Sequence, residues 1–140
     1  MEEKTLVLVK PDAVKDNNIG KILGIYEENG LKIIAAKMMK MTDKLAAKHY
    51  YEHIGKPYYK KLVDFMTEGP LLAAVLEGEN AIKKVRSING ATDPVKADKG
   101  TIRSLFAADN TRNAVHASDS AESAAREIHV FFSEAEIFDI

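Results

Sequence analysis

The sequence predicts an α+β fold of the split βαβ, ferredoxin-like class, with a four-stranded antiparallel sheet. Four short apolar runs, bounded by Gly, Pro or charged residues, have the length of strands. Segments with apolar residues at helical spacing separate them, so the order is strand, helix, strand, then a helical hairpin, then strand, helix, strand and a closing helix. A long segment without any period precedes the last strand. We expect the helices to cover one side of the sheet.

The first third of the chain contains two predicted strands and one helix. Thr5 to Val9 is a short run with β-branched residues that stops at Lys10-Pro11-Asp12, because Pro ends a strand and can open a helix. Apolar residues recur at helical spacing from Ile19 to Tyr26, and Asn29-Gly30 supplies the C-terminal stop. Residues 31–39, apolar with interspersed Lys, predict the second strand.

The middle of the chain predicts a helical hairpin and a buried strand. The hairpin consists of segments 43–53 and 57–66, which a Gly and a Pro separate. The run from Leu71 to Leu76 follows Gly69-Pro70 and is too short for a helix of its own, so it predicts a strand.

The last third predicts one long loop between two helices. The first helix runs from Glu79 to Ile88, and residues 90–112 show no sustained period, which in a compact domain is typical of a functional segment or of disorder. Residues 113–116 predict the last strand. The sequence Asp119-Ser120-Ala121-Glu122 then offers an acidic cap to a last helix with an apolar face.

Length and composition predict one domain over residues 1–140. The 20 Lys and Arg nearly balance the 21 Asp and Glu, and a net charge of −1 argues against a dedicated nucleic-acid binder. The absence of Cys excludes disulfides, thiolate metal sites and a Cys nucleophile. The longest purely apolar run has six residues, against the roughly 20 that span a bilayer, so we expect a cytoplasmic chain without a membrane partner.

Basic residues are concentrated in one part of the chain. Residues 82–116 contain seven basic side chains against three acidic ones, including three of the four arginines. Arg is the side chain best shaped for bidentate phosphate contact. The pattern indicates a small anionic ligand.

His116 is the candidate nucleophile among four histidines. It lies at a strand end directly before a helix cap, where the helix dipole disfavours imidazolium and keeps the ring neutral and nucleophilic. Glu127 falls at the edge of the apolar face of the last helix, where its carboxylate can fix the imidazole tautomer. A purely structural histidine remains the alternative at this point.

Cations flank several of the predicted elements. Lys10, Arg86 and Arg103 are at such positions, and the strand ends that carry Lys10 and His116 could approach each other in a split sheet. A triphosphate needs several convergent cations. The chain contains neither the G-x-x-x-x-G-K-[ST] phosphate loop nor a G-x-G-x-x-G motif. Side chains would therefore hold a nucleotide.

Residues 49–53, His-Tyr-Tyr-Glu-His, match the H-x-x-E-H pattern of inverted zinc peptidases. Such a site needs a third ligand and usually a longer chain, and five-residue patterns arise by chance. Tyr58, beside Pro57 at a helix start, could instead reach a nucleotide base by stacking.

Four segments together resemble the nucleoside diphosphate kinase family. They are Lys10-Pro11-Asp12, Gly90-Ala91-Thr92-Asp93-Pro94, Gly100-Thr101-Ile102-Arg103 and residues 112–120, Arg-Asn-Ala-Val-His-Ala-Ser-Asp-Ser. The resemblance covers residues 5–132, and its N-x-x-H-[GA]-S-D-S segment is highly specific. Ala117 in place of Gly, Tyr58 in place of Phe, and Asn110 in a commonly apolar stretch depart from the family pattern.

The resemblance implies a role for ten residues. His116 would accept the phosphoryl group, Glu127 and Ser118 would support its ring or the phosphoryl group, and Tyr50 would lie beside the ring. Nucleotide-contact positions would be Lys10, Tyr58, Arg86, Thr92, Arg103 and Asn113.

The resemblance also implies the reaction. A nucleoside triphosphate, mainly ATP, would give its terminal phosphoryl group to His116, and a nucleoside diphosphate would collect it. Mg²⁺ would arrive on the nucleotide phosphates, with no protein side chain predicted as its ligand. A homo-oligomer is implied, a tetramer with a hexamer as the alternative. A regulatory small-molecule-binding domain with a structural His116 is the competing reading.

Overall fold

The first strand, β1 (Glu2–Val9), lies inside the sheet of the computed structural model, which describes residues 2–140. Its neighbours are β3 (Pro70–Glu79) and β4 (Val115–Ala117), and β2 (Lys32–Lys40) pairs with the other edge of β3. All three pairings are antiparallel, so the order is β2-β3-β1-β4. The α+β class and the four-stranded antiparallel sheet are therefore confirmed.

Helices connect these strands. They are α1 (Pro11–Lys15), α2 (Ile19–Glu28), α3 (Asp43–His49), α4 (Tyr59–Met66), α5 (Ala81–Asn89), α6 (Ile102–Phe106) and α7 (Ala121–Phe131), with 3-10 turns at Tyr51–His53 and Glu134–Glu136. The predicted hairpin corresponds to α3 and α4, which contact each other. None of these helices is both long and apolar enough to cross a membrane.

The helices cover both faces of the sheet, so the expectation of one covered side is wrong. Leu6 and Leu8 of β1 pack in one apolar cluster with residues of α3, α4 and α7. Val7 and Val9 pack on the opposite face with residues of α2 and α5. Successive side chains of a strand point to opposite faces, and a continuous apolar run such as that of β1 therefore needs cover on both sides.

Several predicted boundaries shift for local reasons. The predicted first turn of the helix at Glu79 belongs to β3, because Asn80 adopts a left-handed conformation (φ 52°) that delays α5 to Ala81. The last strand begins at Val115 instead of residue 113, because Ala114 has φ 72° and cannot continue a ladder. The short helix α6 was not predicted, whereas α1 begins at Pro11, where the sequence indicated a possible helix start. Helix α3 ends at His49, before residue 53.

The pairing of β1 with β4 brings the chemistry-bearing strand ends together. Leu8 is opposite His116, and the backbone N–H of Lys10 donates to the carbonyl of Ala114 at 2.9 Å. The Ser120 hydroxyl then caps α7 by accepting from the N–H of Ser123. The predicted proximity of Lys10 and His116 is confirmed.

Candidate active site

A cavity of about 260 Å³ opens where β1, β4, α3 and α7 meet. Eight of the ten residues singled out from the sequence line it, namely Lys10, Tyr50, Arg86, Thr92, Arg103, Asn113, His116 and Glu127. Ser118 lies behind Glu127, fully buried. The loop, the strand ends and the helices therefore converge although their residues are far apart in sequence.

Glu127 holds the His116 ring. Nε2 of His116 donates to Oε1 of Glu127 at 2.9 Å, and the Ser118 hydroxyl donates to the same oxygen at 2.8 Å. Burial by itself raises the pKa of the Glu127 carboxyl, but the hydrogen bond and charge of His116, with help from Ser118, outweigh it and lower the pKa. The carboxylate is therefore ionised and acts as an acceptor.

His49, which the sequence placed only in the peptidase pattern, lines this cavity. Its ring packs edge-on against His116 with centroids 4.8 Å apart, and against Tyr50 at 4.4 Å. The residue is 4% exposed, and neither ring nitrogen has a hydrogen-bond partner within the described chain. Burial, reinforced by the charge of His116, lowers its pKa to about 3, so the ring is neutral. Its position next to Tyr50 was the available signal.

The peptidase pattern does not form a continuous helical face. His49 ends α3, and His53 lies in the following 3-10 turn. Within residues 2–140, the side chains that bring three potential metal-ligating atoms within 4.8 Å of one another are instead His49, His116 and Glu127.

Lys10 is buried at the floor of the cavity. Its ammonium donates to Oδ1 of Asn113 at 2.8 Å, while the Asn113 amide donates to the carbonyl of Asn110. Burial and the nearby charge of Arg103 lower the pKa of Lys10 to about 8, although Asp12 opposes this. Lys10 is therefore a cation whose charge depends on pH in the weakly alkaline range.

Arg103 fastens the long loop to the last strand. Its guanidinium donates to the carbonyls of Gly90 at 2.8 Å, Asn113 at 3.3 Å and Val115 at 2.8 Å. The helix α6 that carries it begins with a Thr101 cap. The side chain predicted as a phosphate contact thus also organises the segment that carries the cavity residues.

Asp12 supports the backbone just before His116. It stands in the first turn of α1, as its position after Pro11 predicts, and its Oδ2 accepts from the N–H of Ala114 at 3.1 Å. Ala114 occupies the left-handed region, which a residue with a Cβ adopts at a cost in energy. The hydrogen bond helps to hold that conformation.

Tyr58 lies apart from the other predicted residues. Its side chain is 48% exposed, and it does not line the cavity. Its hydroxyl contacts Nδ1 of His53, which does line the cavity. Tyr58 is therefore at the rim, with one face available.

Comparison with known proteins identifies close relatives over the whole chain. The family model described as Nucleoside diphosphate kinase matches residues 3–137. A nucleoside diphosphate kinase of Methanocaldococcus jannaschii is 52% identical over 139 residues, which cover 99% of each chain. One from Methanobrevibacter smithii is 51% identical over 99% of this chain and 93% of its own.

Solved structures agree with these sequence relatives. The Aquifex aeolicus nucleoside diphosphate kinase superposes with a TM-score of 0.96 at 47% identity, covering 99% of this chain and all of its own. A halophilic nucleoside diphosphate kinase from Halobacterium salinarum, solved in complex with CDP, gives a TM-score of 0.97 at 42% identity, covering this entire chain and 93% of its own.

Proposed function

This chain belongs to the nucleoside diphosphate kinase family and has that kinase activity, and from this premise we propose how its own residues carry out the reaction. His116 takes the terminal phosphoryl group of a nucleoside triphosphate, mainly ATP, and passes it to a nucleoside diphosphate in a second step. The observation that carries the proposal is the hydrogen bond from His116 to Glu127 at 2.9 Å.

That hydrogen bond selects the nucleophilic atom. A neutral imidazole has one proton, and a proton held on Nε2 by a carboxylate leaves the lone pair on Nδ1. Nδ1 attacks the terminal phosphorus, and the bond from that phosphorus to the bridging oxygen breaks, which releases the diphosphate. The phosphorylated ring carries a positive charge that Glu127 stabilises, with Ser118 fixing the carboxylate. The reverse sequence returns the phosphoryl group to the second nucleotide.

The cations of the cavity bind the phosphates. Lys10, Arg86 and Arg103 line the same cavity as His116, which supports their assignment to phosphate oxygens. Asn113 is tied to Lys10 and Thr92 lines the wall, so both are assigned to the ribose and phosphates.

Two tyrosines are assigned to contacts with the nucleotide base and with the His116 ring. Tyr58 offers an exposed ring at the rim for stacking, which every base can use because each has a π face. Tyr50 lines the cavity beside His49 and is assigned as a supporting residue next to the His116 ring.

Magnesium is the cofactor we assign, bound together with the nucleotide. The cavity is lined by Lys10 and three arginines, and its carboxylates other than Glu127 are Glu52 and Asp119. Mg²⁺ commonly keeps several waters and takes one or two carboxylates plus substrate phosphates, so Glu52 and Asp119 fit contacts to its water shell. When bound, the ion neutralises charge on the phosphates.

The covalent intermediate gives the direct test of this mechanism. Brief incubation with magnesium ATP should add one phosphoryl group per chain, labile in acid, stable in alkali and transferable to an added nucleoside diphosphate. These properties belong to phosphohistidine, whereas phosphoserine survives acid. Ser118 is buried and donates to Glu127, and the Ser120 hydroxyl oxygen accepts the N–H of Ser123, so both hydroxyls are engaged in other hydrogen bonds. An acid-stable adduct that discharges to nucleoside diphosphate would contradict the assignment.

Nucleotide capture should weaken as pH rises through about 8. The pKa of Lys10 is lowered to about 8, so its positive charge is complete below that pH and is lost above it, whereas an ordinary Lys keeps its charge to about pH 10.4. The pH profile of kcat/KM reports groups of the free enzyme, and it should fall with an apparent pKa near 8. Lys10→Arg keeps a permanent charge and should remove this inflection. A profile of the native enzyme that stays flat from about pH 7 to 9.5 would show that Lys10 is not the controlling cation.

Three sequence-based expectations stay predictions. They are the extent of the domain over residues 1–140, assembly into a tetramer with a hexamer as the alternative, and a cytoplasmic location without a membrane partner. The absence of dedicated nucleic-acid binding likewise rests on the net charge of −1 alone.

A further inference from the structure

We propose that the kinase site also binds a borderline divalent transition metal, with Zn²⁺ as the reference ion, through His49, His116 and Glu127. The potential ligand atoms of these three side chains lie within 4.8 Å of one another. Two imidazoles and one carboxylate form the donor set of many zinc sites with an open fourth position. The inference goes beyond phosphoryl transfer, because binding of the ion is measured without any nucleotide.

The buried imidazole of His49 is the observation that points to a ligand. Within residues 2–140 neither of its buried nitrogens has a hydrogen-bond partner, although leaving a buried polar group unpaired is costly. The ring lines the cavity and faces the edge of His116. Because it is neutral, it needs to release no proton before ligating a metal.

The charges around the site decide which class of ion is bound. Glu127 supplies one negative charge, but Lys10 and Arg126 are close enough to influence His49, and Arg126 lies 3.7 Å from Oε2 of Glu127. The positive charge of Lys10 and Arg126 disfavours Mg²⁺, which binds to oxygen ligands and needs negative charge around it. Imidazole nitrogens suit Zn²⁺ through the metal–nitrogen bond itself. The protein site should therefore discriminate strongly for Zn²⁺ over Mg²⁺.

The geometry requires a modest closure of the ligand set. Zinc at about 2.0–2.1 Å from tetrahedral ligands holds those atoms about 3.3 Å apart, so the widest ligand separation must shrink from 4.8 Å. His116 Nε2 and Glu127 Oε1, which are 2.9 Å apart, must instead open slightly as zinc replaces the proton between them. The His49 ring can turn toward them without breaking a hydrogen bond, because it makes none within the described chain. Water from the cavity supplies the fourth ligand.

Zinc in this position would switch off the nucleophile by changing its tautomer. The ion replaces the proton on Nε2 of His116, and the neutral ring keeps one proton, which moves to Nδ1. The lone pair that would attack phosphorus is then gone, so zinc should lower kcat while leaving the KM for nucleotide nearly unchanged. This consequence rests on the proposed function, whereas the binding of zinc does not.

Equilibrium titration of the full chain with free Zn²⁺ fixed by a metal buffer tests the site. The native protein should bind one ion per chain, and millimolar Mg²⁺ should not displace it. His49→Phe keeps a buried ring, and Glu127→Gln keeps the shape of the side chain. Each should weaken zinc binding at least about 10- to 100-fold, because even changing a residue that only orients a metal ligand causes a loss of that size. His129→Gln is the control, because this exposed imidazole on α7 hydrogen-bonds to the carbonyl of Ala125 in its own helix and does not line the cavity. It should bind zinc like the native chain.

Each outcome separates the metal site from the kinase mechanism. Binding of ADP by each variant shows that its fold and cavity are intact. Native zinc affinity in His49→Phe, or a loss confined to His129→Gln, would overturn the site. With zinc bound to the native chain, a rise in KM at constant kcat would overturn the tautomer mechanism. Exchange activity measured without zinc tests the proposed function independently.

Discussion

Replacing His116 with Ala should abolish the phosphoryl adduct and lower nucleotide exchange by roughly 10⁴- to 10⁶-fold, because both half-reactions pass through this side chain. The remaining cavity is largely preserved, since Lys10, Asn113 and Arg103 hold one another and the backbone without the imidazole. The affinity for nucleoside diphosphate should therefore change little. Radiolabelling with ATP and calorimetric binding of ADP measure the two properties separately.

Substitution of Glu127 should have a smaller effect than His116→Ala. Glu127→Gln keeps the nucleophile but removes the charge that fixes its tautomer, so kcat should fall by about 10- to 100-fold while KM stays nearly constant. His129→Gln, on the exposed face of the same helix, should label and exchange normally. Undiminished exchange by His116→Ala would support the competing reading, in which this histidine is structural.

Arg103→Met should reduce both stability and activity. The substitution keeps the apolar stem but leaves the carbonyls of Gly90, Asn113 and Val115 without their donor. Each hydrogen bond to a charged group contributes about 1.5–3 kcal/mol, so we expect a loss of about 3 kcal/mol or more in the free energy of unfolding. Because the same bonds position the loop that carries Thr92, kcat/KM should fall by at least about 100-fold. Urea denaturation and steady-state kinetics measure the two effects.

Arg112→Met is the matched control for Arg103. Arg112 belongs to the same basic stretch, but its guanidinium is half-exposed and pairs with Glu68 at 2.9 Å on the surface. A surface ion pair is worth about 0–1 kcal/mol, so this variant should unfold close to the native chain. Equal losses for Arg103→Met and Arg112→Met would mean that the three backbone hydrogen bonds do not fasten the loop.

The elements that depend on neighbouring residues alone were predicted well. The four strands and the helices α2, α3, α4, α5 and α7 follow from runs and periods of a few residues, and each appears close to its predicted place. Where a boundary was wrong, one backbone angle decided it. Asn80 and Ala114 adopt positive φ without being glycine. Asn enters this region more often than most residues, whereas nothing about Ala114 indicated that the strand limit would move there.

The sequence by itself determined the residue types of the site, because a specific motif around His116, the basic stretch over residues 82–116 and the strand-end Lys10 are local patterns. Only the tertiary structure decided how they meet. Antiparallel pairing places Leu8 opposite His116. The packing of α3 against α7 brings His49 beside that ring, although 66 residues of sequence separate the two histidines. Burial then makes His49 neutral and lowers the pKa of Lys10, since desolvation penalises a charged group according to what surrounds it in space. No local pattern contains that information, because the atoms that exclude water from these side chains come from distant parts of the chain.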